Sequence, residues 1–173
     1  LQLRDFTSNY IEALRVTERG QVLIGSQTFQ PYASFANPAG KVQIAGTAYQ
    51  NSSLAITNYQ NSVDGAYLLL GHSRGTSIGD ISAPLQDNDL LGTIWWAGTD
   101  TNNELRSAAR LEARVNGNVG NDSVPSRFRF LITNQGATNV TARGQVSDDG
   151  RWVLGTSENR SNADRKYPLE VMT

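Results

Sequence analysis

Apolar and polar positions alternate without a break through LRSAARLEARV, residues 105–115. Leu105, Ser107, Ala109, Leu111, Ala113 and Val115 share one face. Arg106, Ala108, Arg110, Glu112 and Arg114 share the other. Period two predicts a strand, although Ala, Leu, Glu and Arg are good helix formers. As a helix the run would place Glu112 seven residues after Leu105, on its own apolar stripe. SRFRFLIT follows the same logic, with Phe128, Phe130 and Ile132 opposite Arg127 and Arg129. LGTIWWAG and VTARGQV are two further predicted strands. LAITNY and AYLLLG are predicted to pair across QNSVDG, with Asp64-Gly65 as the turn. Short strands separated by Gly, Asn, Asp and Pro loops predict an all-β, β-sandwich-like (jelly-roll-like) core over residues 46–145.

The flanks of that core repeat one another. EALRVTERGQVLIGS and TARGQVSDDGRWVLGT superpose at a shift of 130 residues. The shift pairs Val16 with Val146, Gly20 with Gly150, Val22 with Trp152, Ile24 with Leu154 and Gly25 with Gly155. At a shift of 127, GKVQIAG meets YPLEVMT, so Val42 pairs with Leu169 and Ile44 with Val171. Residues 1–45 therefore read as a short β-stalk (β-prism-like) segment and 146–173 as the start of the next. Three short strands bury too little apolar surface to offset their entropy. Identical chains around a threefold axis supply the missing face, which predicts an intertwined homotrimer. Val16, Val22, Ile24, Val42, Ile44, Val146, Trp152, Leu154, Leu169 and Val171 are the expected packing residues of that stalk.

Composition narrows the function classes. Of 173 residues 38% are hydrophobic and only 18% charged, and the net charge is -1. A chain without basic excess is not expected to bind nucleic acid. No apolar run is long enough to span a bilayer, and no signal-peptide pattern opens the chain. It starts on Leu1 rather than Met, so it is read as a piece of a longer chain. Having no cysteine, it has neither disulfides nor thiolate metal sites, which suits assembly in a reducing cytosol.

The candidate chemistry is thin. GHSRG, residues 71–75, has the spelling of a nucleophile elbow around Ser73. The one histidine of the chain, His72, adjoins that serine, and strand neighbours face opposite ways. No helical period follows, so the string is read as a strand entering a Gly-rich loop. DTNNE, residues 100–104, spaces oxygen ligands as some calcium loops do, but turn formation explains it better. Asp148-Asp149-Gly150 reads as a β-turn. No carboxylate pair stands in a context suited to glycoside hydrolysis. The chain is expected to be no enzyme and to carry no metal or cofactor. Ile94 and Trp96 are assigned to the core face. Trp95 then points outward, toward a subunit interface or a sugar ring. Arg106, Arg110 and Arg114 form an outward stripe beside it, and with Trp95 they are the candidate glycan-binding residues.

The segment from Gly92-Thr93-Ile94 to Gly150–Thr156 resembles one found in bacteriophage tail-fibre and tailspike proteins, where it often precedes an endosialidase-type intramolecular chaperone. The likeness rests on Gly92-Thr93-Ile94, Trp96, Gly98, Asp100, Ala108-Ala109, Asp122 with Pro125, and Phe128-Arg129-Phe130. It covers residues 90–156 well and departs from the family pattern at Thr141-Ala142-Arg143 and at Val124-Pro125-Ser126-Arg127. The resemblance implies a trimeric structural protein of the virion tail that mediates host attachment, with other phage tail proteins and a bacterial surface polysaccharide as partners. It implies assembly in the host cytoplasm. A capsid decoration or cement protein, and a glycan-degrading tailspike module, are the alternatives.

Overall fold

The computed structural model describes residues 2–4, 12–26 and 40–155. Leu169 and Val171, two of the expected stalk residues, lie outside them. The chain divides into two compact units, Leu1–Leu68 and Leu69–Thr173.

The first unit holds one four-stranded sheet of β1 (Gln2–Arg4), β2 (Glu12–Val16), β3 (Val22–Ile24) and β4 (Val42–Ile44), in that order. β2 and β3 form an antiparallel hairpin, and β4 joins β3 in parallel with Val22 opposite Val42 and Ile24 opposite Ile44. The three short strands expected around Gly20 are therefore formed. Gly20 takes φ +69°, where a side chain is disfavoured. Gly25 is at +74°, and a Cβ there would meet the Ala45 carbonyl oxygen at 2.2 Å.

The second unit holds a five-stranded antiparallel meander of β5 (Leu90–Thr99), β6 (Leu105–Val115), β7 (Ser126–Thr133), β8 (Val140–Val146) and β9 (Trp152–Leu154). The alternation in residues 105–115 resolves as a strand over its whole length. Its helix-forming composition loses to the alternation, which holds unbroken from Ala109 to Val115. Each unit contributes one sheet, and the architecture is all-β as expected.

The repeat is structural as well as sequential. In the first hairpin Thr17 N–H donates to the Gln21 carbonyl and Gly20 N–H to the Thr17 carbonyl. In the second, Ser147 N–H donates to the Arg151 carbonyl and Gly150 N–H to the Ser147 carbonyl, each bond displaced by the same 130 residues. Strand register follows: Val16 opposes Val22 as Val146 opposes Trp152.

Two expectations fail. LAITNY and AYLLLG form no hairpin: residues 53–75 contain no strand, and every residue from 46 to 74 is exposed. Asp64 N–H bonds to the Ser62 hydroxyl, and its carbonyl accepts from the Asn58 amide, closing a local turn without pairing the flanks. Apolar runs predict strands only where a partner edge exists, and among the described residues these pair with none. Ser107 also departs from its predicted face. Trp96 opposes Ala109 and Ala97 opposes Ser107, so Ala108 is the extra residue of a bulge. The bulge turns Ser107 toward Trp95, whose indole N–H donates to its hydroxyl at 2.6 Å.

Candidate functional site

The five-stranded sheet has two unlike faces. Register places Ile94 and Trp96 of β5 beside Leu111 and Ala109 of β6, then Phe130 and Ile132 of β7. Phe128 and Phe130 lead on to Val146 and Gly144 of β8, and these to Trp152 and Leu154 of β9. No charged residue stands among them. The face was assigned to the core, yet within one chain it is open. Trp96 and Phe128 are each 51% exposed, Ile132 52% and Leu154 66%. Phe130 and Trp152 stack with 6.2 Å between ring centroids and 17° between planes. In the first unit Val16 and Val42 are likewise exposed, and Val22, Ile24 and Ile44 are half-buried on the corresponding face. The eight described stalk residues thus lie on open or half-open faces of their two sheets.

The opposite face is the charged one, and it is the more covered. Glu112 is only 2% exposed. Three guanidiniums surround its carboxylate: Arg114 at 2.8 Å, Arg110 at 3.5 Å and Arg129 at 3.6 Å. Arg110 also lies over the Trp95 ring, 3.5 Å from the centroid. Trp95 lies on this face, opposite in direction to Trp96, and is half-buried with the Arg110 guanidinium over its ring. Arg114 reaches the Asn88 carbonyl, and Arg127 donates to the Asn88 and Asn116 side chains. Trp95, Arg110 and Arg114 are therefore one cluster. Arg106 is apart from it, at the β5–β6 turn, where it pairs with Asp100 and Glu104.

The remaining motifs settle into turns. The Ser73 hydroxyl donates to the Asp80 carbonyl at 2.7 Å and accepts from Gly75 N–H, while His72 Nδ1 meets the Leu90 carbonyl at 2.9 Å. No nucleophile–base pair forms at GHSRG. The glycines serve the loop: a Cβ on Gly75 would lie 2.0 Å from the Asp80 carbonyl oxygen. Asp80 accepts from the Ser82 hydroxyl and from the Ser82 and Thr76 amides, which lower its pKa from 3.8 to about 2. The two-pronged bond from Arg74 and the Gln86 amide hold Asp89 well below the usual carboxylate range. Sequence reasoning passed over both aspartates; their signal was position, within clusters of Gly, Ser and Asn that favour side-chain-to-backbone turns.

Asp100 accepts from the Glu104 and Asn102 amides and pairs with Arg106, so DTNNE is a turn built on one carboxylate. Asp148-Asp149-Gly150 is the expected turn, with Gly150 at φ +77°. Among the described residues no group of three or more His, Asp or Glu side chains is placed to hold a metal. Among them, too, no helix is long and apolar enough to cross a membrane.

No protein-family model matches the chain, and no curated protein does. Solved structures do. The chain superposes over 99% of its length on the carboxy-terminal domain of the bacteriophage T5 L-shaped tail fibre, with TM-score 0.65 and 13% identity, covering 74% of that chain. The same TM-score and identity hold for that domain solved with its intra-molecular chaperone domain, of which 55% is covered. The fold is that of a phage tail-fibre domain. At 13% identity the likeness is one of backbone path rather than of side chains, so it is the open face and the ionic cluster that bear on what this chain does.

Proposed function

We propose that the chain is a non-enzymatic structural module of a bacteriophage tail fibre, homotrimeric, carried on the virion tail with other tail proteins and taking part in attachment to the host cell. One observation carries this reading. The uncharged face of the five-stranded sheet is open in a single chain, as is the equivalent face of the first hairpin. With aromatic side chains presenting 150–250 Å² each, the seven large side chains leave about 700–800 Å² of mainly apolar surface uncovered. That exceeds the patch a monomer usually tolerates and equals one partner's share of a standard interface, about 800 Å². Covering it is worth on the order of 15–20 kcal/mol per chain before the loss of translational and rotational freedom. Three copies turning these faces toward a common axis close the layer that one chain leaves open. The absence of cysteine suits assembly in the host cytoplasm.

Attachment falls to the other face. Guanidiniums gather on this face around Glu112 beside the Trp95 ring, which suits an acidic bacterial surface polysaccharide, with Trp95, Arg110 and Arg114 nearest it. Sedimentation equilibrium tests the assembly: three times the chain mass is expected, and a stable monomer overturns it. Binding to acidic polysaccharide should weaken as salt rises. Incubation with the same polysaccharide should release no new reducing ends; their appearance would make the module a depolymerase.

A further inference from the structure

Between the two sheets' sequences runs a segment of unusual character. Residues 54–70, LAITNYQNSVDGAYLLL, carry a single charge, Asp64. Leu54, Ile56, Tyr59, Val63, Tyr67 and Leu69 are all exposed. Exposed connecting segments are ordinarily polar and rich in Gly, Ser or Pro. One with this many large apolar side chains has a partner surface that its own fold does not provide.

Two features of the five-stranded sheet match it. β5 is an edge strand ten residues long, and LLGTIWWAGT contains no charge and no proline. Natural proteins blunt such edges, because their free N–H and C=O groups template another strand. The face bordering that edge, at Ile94 and Trp96, is open and uncharged. One leucine of the segment already shows the fit: a Cβ on Gly92, two residues before Ile94, would lie 2.7 Å from the Leu70 Cβ. Leu70 rests there because Gly92 has no side chain.

We propose that this segment is an exchanged strap, in which residues 54–59 of one copy add as a strand along β5 of a second copy. Strand addition meets both needs together. The outer edge of β5 gains a neighbouring strand, and the alternation in LAITNY sends Leu54 and Ile56 to one side, onto the margin of the apolar face beside Ile94 and Trp96. A strap and face that carry one charge between them bury no unpaired ion at the contact. The inference rests on the homo-oligomeric reading and adds which segment crosses between copies.

The chain has no cysteine, which makes cross-linking a clean test. Thr57→Cys and Ala97→Cys are made singly and together, each a small residue on the side away from the apolar face. The two single variants are mixed, unfolded, co-assembled and treated with a short bismaleimide. The expected result is covalent dimers in the mixture but not in either single variant, and covalent species up to the full oligomer in the double variant. An oligomer of correct mass that gives no Thr57–Ala97 link, or a double variant that links only within one chain, overturns the strap while leaving the assembly intact. A monomeric mass before cross-linking overturns both. As a second readout, Leu54→Ser with Ile56→Ser should raise hydrogen exchange at β5 amides at least about tenfold, with β6 and β7 unchanged; unaltered β5 exchange counts against the strap.

Discussion

The guanidinium of Arg110 sits 3.5 Å from the centre of the Trp95 ring, between that indole and the buried carboxylate of Glu112. One arginine thus answers to an aromatic quadrupole on one side and to an anion on the other. Arg110→Ala should cost about 0.5–2 kcal/mol through the lost cation–π contact. It should also redden Trp95 emission, as water reaches the ring. Denaturant titration at fixed chain concentration, followed by fluorescence, reads both.

Glu112→Ala is expected to be more damaging. It removes the carboxylate that Arg110, Arg114 and Arg129 share on a covered face. Breaking a buried pair in this way costs about 3–5 kcal/mol. Glu112→Gln keeps the shape and should fall between that variant and the wild type. A Glu112→Ala midpoint equal to the wild type's would show that the arginines are held by something other than the carboxylate.

The assembly surface has its own test in Phe130→Ser. This change removes the ring that stacks on Trp152 at the middle of the open face. Central aromatic residues of interfaces are worth at least about 2 kcal/mol, roughly 30-fold in dissociation constant. Sedimentation at falling concentration should show the variant dissociating while its single-chain sheet, judged by far-ultraviolet circular dichroism, persists.

Backbone geometry predicts a failure at Gly25. Its φ is +74°, and an added Cβ would collide with the Ala45 carbonyl. Gly25→Ala should part β4 from β3, raising exchange at Ala45, whose amide bonds to the Ile24 carbonyl. Gly20→Ala meets the same unfavourable φ but nothing within 4 Å, so it should be milder by comparison.

Acid should loosen the loop before β5. Asp80 titrates near 2 when folded against 3.8 ordinarily, and Asp89 is lowered further still. A carboxyl whose folded pKa is depressed lends stability that is full above its unfolded value and disappears as pH falls through the folded one. The Ser73–Asp89 region should therefore be unchanged from neutrality to about pH 4 and loosen between about pH 4 and 2. Limited proteolysis with an acid protease across that window checks the direction; loosening that began near pH 6 would contradict it.

How much of this was legible in the residues follows from what alternation encodes. In residues 109–115 and 126–133 it fixes which side chains share a face, and the register confirms that Leu111 faces with Phe130 and Glu112 with Arg129. It does not say which face is covered. Trp96 was assigned inward on hydrophobicity alone, and within one chain it is the charged side that is the more covered, with Glu112 only 2% exposed against 51% for Trp96. The same gap explains residues 54–70, whose apolar pattern is strand-like but which pair with no strand among the described residues. The bulge at Ala108, which reassigns Ser107, leaves no trace in a pattern read at constant period.

The hairpin at Thr17–Gln21 and its counterpart at Ser147–Arg151 make the same bonds 130 residues apart. A joint that recurs in matching geometry is a natural splice point. Exchanging genetic material at one such joint for the other would keep hairpin pairing across the seam, because both joints present the same register.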